Sequence, residues 1–293
     1  MQRYIIYLFK YKIERIYFYV LTDLLHPSRE GIAVLRYDDR GTAYSTGNFS
    51  TATTKDFADD AMAGVKFLKT HKKINPNKIG IIGHSEGGSI APMLAAKSKD
   101  IAFIVMLAGP GLSGSKTLIL QRYYINKTML MDEKTLNSDT LLWKKIYSVI
   151  ETEKDNKKAG EKIKFLLLES SPDSIKKDKK ILFELNKTIY QLTTPWIRFF
   201  ITYNPQDDLK KVKCPVLALN GEKDLQILPK QNLAAIETAL KKAGNKDYTI
   251  KEIPELNHLF QHCKTGSPTE YANIEETISP EVLEIMTNWI LLR

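Results

Sequence analysis

Cysteine is scarce in this chain: Cys214 and Cys263 are the two present in 293 residues. They show no CxxC spacing and stand in no His/Cys arrangement suited to zinc, so neither a disulfide framework nor a structural metal site underlies the fold. Both read as ordinary buried thiols, and no metal or cofactor is expected. Long uncharged apolar runs are missing as well. The opening stretch MQRYIIYLFKYKIERIYFYV is apolar and aromatic, but Lys10, Lys12, Glu14 and Arg15 interrupt it. It never reaches the ~18 uncharged residues that a transmembrane helix requires. No small-residue cleavage site follows a clean apolar stretch, so no secretory signal is read and the cytoplasm is the default compartment.

One-signed charge clusters are also lacking. The net charge is +9, yet the lysines are mixed with acidic neighbours, as in residues 151–164, and form no basic stripe with interleaved aromatics. That pattern describes a solvated lysine-rich surface and argues against a nucleic-acid partner. With 43% hydrophobic and 26% charged residues, the chain has the composition of a globular protein that can bury a core.

Short β-branched, apolar runs recur along the chain. They fall at residues 31–37 (GIAVLRY), 78–84 (KIGIIGH), 101–107 (IAFIVML), 215–219 (PVLAL) and 248–253 (YTIKEI). Between them lie helical patterns: Asp56, Phe57, Ala61, Val65 and Leu68 at helical spacing with Thr54 as the expected cap, then residues 230–242 and 280–292. Strands alternating with helices predict an α/β fold, a mostly parallel sheet flanked by helices. Residues 112–200 break the rhythm. They carry helical stretches rich in Lys, Leu and Tyr without short β-branched runs, which predicts an inserted helical cap. The expected organisation is an atypical segment 1–30, a core built from 31–111 and 201–293, and the cap at 112–200.

Gly83-His84-Ser85-Glu86-Gly87 has the form G-x-S-x-G between a predicted strand and a predicted helix. In that context the serine takes a sharp, strained turn that lifts its hydroxyl above the sheet at a helix N-terminus, while the small flanking residues let the backbone pass. A serine hydroxyl needs a base. Among five histidines, His258 follows the last predicted strand, as the order Ser, acid, His requires; His262 is the runner-up. His84 adjoins the serine and is expected to point away from it. The acid should follow the strand at 215–219, which selects Asp224, with Glu222 as the alternative in the same loop. Its role would be to orient the imidazole and stabilise imidazolium. The N–H of Glu86 is the candidate oxyanion donor, and Trp196, Phe199 and Phe200 are candidates for an apolar acyl pocket, or else core residues.

Taken together, the runs GIAVLRYDDRG, IGIIGHSEGGSIAP, FIVMLAGPG, TPWIRFF, KCPVLALNGEKDLQ and LNHLFQ resemble bacterial α/β-hydrolase esterases of the EstD-like group, close to the serine aminopeptidase and acyl-peptidase branch. The resemblance covers about residues 31–293. It implies Ser85, Asp224 and His258 as a triad that hydrolyses small-molecule carboxylic esters without cofactor or metal. A peptidase or thioesterase on the same triad is the alternative reading. One departure matters: such enzymes have a further strand and a Gly-rich loop upstream of the run at 31–37, and residues 1–28 contain no glycine. That loop supplies the second oxyanion donor. The absence predicts an N-terminally truncated, catalytically impaired homologue; the other expectation is that residues 16–20 stand in for the missing strand.

Overall fold

The computed structural model describes residues 3–8, 31–170, 176 and 178–293. Among these residues, six strands form one sheet: β1 Arg3–Leu8, β2 Ile32–Leu35, β3 Ile79–His84, β4 Phe103–Leu107, β5 Val216–Gly221 and β6 Tyr248–Ile253. Every neighbouring pair is parallel, in the order β2-β1-β3-β4-β5-β6.

The first strand corrects the expected gap. Arg3–Leu8 lies between β2 and β3, with Arg3 level with Ile32 and Tyr4 level with Ile79. Residues 16–20, the segment expected to substitute for it, lie outside the described residues. RYIIYL was illegible as a strand because the whole opening stretch is apolar and aromatic, with no Gly, Pro or Asn to mark where a strand stops. Pairing on both sides answers its backbone polar groups, so the described sheet has no break at this point.

The central strands show why both faces must be covered. In β3, β4 and β5, Ile79, Ile81, Ile104, Met106, Val216 and Ala218 pack on one face, and Ile82, Val105, Leu107, Leu217 and Leu219 on the other. This alternation follows from successive side chains pointing to opposite faces. The first face is covered by α1 Thr54–Thr70, α2 Glu86–Ala95 and the later Pro229–Ala243; the second by the C-terminal helix Pro280–Leu291.

Helix α1 starts one residue earlier than its pattern suggests. Thr53 is the cap: its side chain accepts from the Asp56 N–H while the Asp56 carboxylate accepts from the Thr53 N–H at 2.8 Å, a capping box. Thr54, expected to cap, is instead the first helical residue, and its hydroxyl is free for a distant partner.

Between β4 and β5 come α3 Gly114–Thr128, α4 Glu133–Thr152, α5 Asn156–Glu169, α6 Lys179–Leu192, α7 Pro195–Thr202 and the short α8 Gln206–Leu209. Asp132, Asp155, Asp178 and Thr194 cap α4 to α7, each side chain accepting from a backbone N–H of the first turn. Those caps divide a lysine-rich stretch into separate helices. Ile146, Tyr147, Ile150, Ile163, Leu192 and Ile201 form a buried cluster of their own, separate from the two sheet faces. Arg198 on α7 donates to the carbonyls of Ile150 and Glu153 at 3.1 and 2.8 Å, tying α7 to the end of α4. The chain closes with β5, α9 Pro229–Ala243, β6 and α10 Pro280–Leu291. Both cysteines are half-buried free thiols, less enclosed than expected.

Candidate active site

The site is built at the carboxyl end of β3. Ser85, directly after the strand, has φ 54° and ψ −115°, a conformation costly for a residue with a side chain. The turn is tight because its neighbours are glycines. A Cβ on Gly83 would lie 1.9 Å from the Gly87 carbonyl oxygen, and one on Gly88 2.5 Å from the Gly109 Cα. The Ser85 N–H donates to the Leu107 carbonyl at 2.9 Å, fastening the turn to β4.

Two loops bring the partners. The loop after β5 carries Asp224, and the segment after β6 carries His258; both side chains are fully buried. His258 Nδ1 lies 2.8 Å from Asp224 Oδ2, and His258 Nε2 lies 3.0 Å from Ser85 Oγ. A carboxylate only accepts, so Nδ1 carries the proton and donates, leaving Nε2 free to accept from the serine hydroxyl. Asp224 is held in turn: its Oδ1 accepts from the N–H groups of Gln226 and Ile227 at 2.7 and 2.8 Å. Asn257 steadies the histidine's segment, accepting from the Leu259 and Gln261 N–H groups at 2.9 and 3.0 Å. The three side chains therefore make one continuous hydrogen-bonded line ending on a hydroxyl, an arrangement suited to deprotonating an attacking oxygen.

The alternatives lie elsewhere. Glu222 accepts from the Glu255 N–H at 2.9 Å, and His262 is an exposed partner of Glu276 at 2.9 Å. His71 is exposed at the C-terminal end of α1, and His26 is outside the described residues. The segment following β1, where a second oxyanion donor would be expected, also lies outside them.

His84, expected to point away from Ser85, makes its contacts with His258. Its ring sits 4.8 Å from the His258 ring, and Nε2 donates to the His258 carbonyl at 2.8 Å. Burial, then the neighbouring His258, push the His84 imidazole down to about 3, so it lies against His258 as a neutral ring. Sequence reasoning missed this because adjacency to Ser85 along the strand says nothing about contact with a loop 174 residues away.

Glu86 was singled out only for its N–H, at the first position of α2. Its side chain is also part of the site: 7% exposed, with Oε1 accepting from the Thr54 hydroxyl and from the Trp196 indole N–H, each at 2.7 Å. Trp196 and Phe199 pack against the larger core, Phe199 stacks on Tyr203, and the Phe200 ring lies 5.7 Å from Trp196. A charged residue inside the motif, next to a serine that must be shielded, was the available signal for a buried carboxylate.

A parallel sheet with helices on both faces, carrying a strained serine after its third strand, defines an α/β-hydrolase. The family profile described as serine aminopeptidase, S33, matches residues 17–262. The chain belongs to that family. It is 25% identical over 268 residues to esterase EstD of Thermotoga maritima, an alignment covering 90% of this chain and 54% of that protein. The chain thus spans about half the length of this curated relative. The Pyrococcus furiosus esterase Pf2001 superposes with a TM-score of 0.56 at 17% identity, covering 99% of this chain and 82% of that one. The α/β hydrolase GrgF of Penicillium sp. sh18 gives 0.57 at 14%, covering 99% and 89%. Est1E of Butyrivibrio proteoclasticus, solved with ferulic acid bound, gives 0.52 at 17%, covering 99% and 86%. At such identities these structures establish the fold alone. Among the described residues no helix is long and apolar enough to cross a membrane, and no cluster of His, Cys, Asp or Glu is arranged to hold a metal ion.

Proposed function

We propose that this protein hydrolyses small carboxylic esters, with Ser85 as nucleophile, His258 as general base and Asp224 as the partner that orients the imidazole. The observation that carries the reading is the unbroken line from Asp224 through His258 to Ser85 Oγ, at 2.8 and 3.0 Å. The ester class rests on the likeness to EstD.

In this mechanism His258 Nε2 takes the hydroxyl proton as Ser85 Oγ attacks the ester carbonyl. The tetrahedral oxyanion forms near the Glu86 N–H, at the positive end of α2. Collapse expels the alcohol, which receives the proton from His258, and leaves an acyl-serine. Water attacks that ester with His258 again as base, releasing the acid and restoring the serine. Burial of the His258 and Asp224 side chains keeps their mutual attraction from being screened by solvent. Residues 112–200 serve as the cap of this site, with Trp196 bonded to Glu86 of the elbow and Phe199 and Phe200 following it on α7 as the remaining candidates for the acyl pocket.

The family description favours a second reading, removal of an N-terminal amino acid from a peptide by the same three residues. The two are separated by offering purified protein p-nitrophenyl acetate and amino-acid p-nitroanilides side by side. Ester turnover that falls by on the order of 10⁴–10⁶ in Ser85→Ala, together with loss of fluorophosphonate labelling, is the expected result. Preference for the anilides would sink the esterase reading and keep the serine; turnover unaffected by Ser85→Ala would sink both.

A further inference from the structure

Three helix N-termini meet at one buried carboxylate. Glu86 opens α2, Thr54 opens α1, and Trp196 stands second in α7. The Thr54 hydroxyl and the Trp196 indole N–H both donate to Glu86 Oε1 at 2.7 Å. Thr54 is 1% exposed and Glu86 7%. Placing a carboxylate in so dry a position is costly unless donors and dipoles answer it. Here they come from two helices that flank the elbow, one from the sheet's cover and one from the helical insertion.

The backbone N–H of this same residue is the group proposed above to face the oxyanion. An N–H at the first position of a helix has no intrahelical acceptor to fix its direction. Its aim depends on how firmly the residue is seated. Glu86 is seated from both sides: by Ser85 N–H bonded to β4 at 2.9 Å, and by its own side chain clamped between α1 and α7.

We infer that Thr54 and Trp196 are positioning residues for the oxyanion-donating N–H, acting through the Glu86 carboxylate, so that the helical insertion helps to set the geometry of the elbow. The inference rests on the serine-hydrolase reading. It also gives Trp196 a different task from the wall of an acyl pocket: its indole N–H matters more than its ring.

The test uses the full chain with p-nitrophenyl acetate, measuring kcat and KM for the parent, Ser85→Ala, Trp196→Phe and Thr54→Val. Phe keeps an aromatic ring but no N–H; Val keeps the shape of Thr but no hydroxyl. Each should lower kcat on the order of tenfold with KM nearly unchanged, since tilting a donor costs less than the ~10²–10³ lost by removing one. The rate of fluorophosphonate labelling should fall by a similar factor, because the phosphonyl oxygen occupies the same place. Thermal melts establish that each variant is folded, and should Thr54→Val fail to fold, Trp196→Phe carries the test. If Trp196→Phe retains kcat within twofold, or loses only in KM, the positioning role is overturned while the serine reading stands. Parental turnover indistinguishable from that of Ser85→Ala would remove the serine reading and the inference with it.

Discussion

His84 sits directly before Ser85, yet its ring contacts belong to His258. Buried and neutral, it donates Nε2–H to the His258 carbonyl, and the desolvation that keeps it neutral has a consequence for stability. An unfolded histidine titrates near ~6.5, whereas in the fold this one is pushed down to about 3. Between those values the unfolded chain binds a proton that the folded chain refuses, so stability falls as pH drops from about 6.5 toward 3. At a pH of about 5 the contribution is roughly 2 kcal/mol, taking 1.36 kcal/mol per pH unit. His84→Gln keeps an N–H at nearly the reach of Nε2 and abolishes the titration. Urea unfolding at pH values of about 7 and 5 should show the parent losing roughly 2 kcal/mol more than the variant. Equal losses would mean that His84 is protonated in the folded protein.

At the scale of single elements, the start of α1 shows how one residue of displacement changes roles. The capping box places Thr53 at the helix end and thereby turns Thr54 inward, where its hydroxyl meets Glu86. Thr53→Ala should cost about 1 kcal/mol by chemical denaturation, with Thr53→Ser close to the parent, because the lost interaction is a side-chain oxygen answering a free N–H. A loss no larger in Ala than in Ser would show that the cap contributes nothing here. The Arg40 guanidinium adds a second anchor on the same helix, donating to both carboxylate oxygens of Asp60 at 2.7 Å. It ties the loop after β2 to α1, and the run RYDDRG is thus spent on holding a loop against a helix. That role could not be read from the residues alone, since aspartates and arginines in a turn are usually solvated.

Across the whole molecule, the two sheet faces and the helices between β4 and β5 have separate buried clusters. Ile146 is fully buried in the cluster formed by those helices. Ile146→Ala should remove about 2–5 kcal/mol of packing locally. In hydrogen exchange, amides of α4, α5 and α7 should then exchange faster while those of β3, β4 and β5 keep their protection. Uniform loosening of all these elements would show that these helices and the sheet open as one unit.

Local chemistry made much of this protein legible before any fold was considered. Five strand runs, the elbow at Ser85 and the order of Ser85, Asp224 and His258 could be read because periodicity, glycine spacing and strand-to-loop placement are properties of short segments. The family profile and the parallel sheet agree with that reading of the fold. What only the tertiary structure decided involves contacts between segments far apart in the chain. Arg3–Leu8 is a strand because β2 and β3 offer it parallel partners on both sides, not because its own residues mark its ends. His84 meets His258, and Glu86 meets Thr54 and Trp196, because packing brings together groups separated by 174, 32 and 110 residues. No window of sequence contains such pairs. Burial selects them, since a polar group taken out of water must find its partner wherever the fold supplies one.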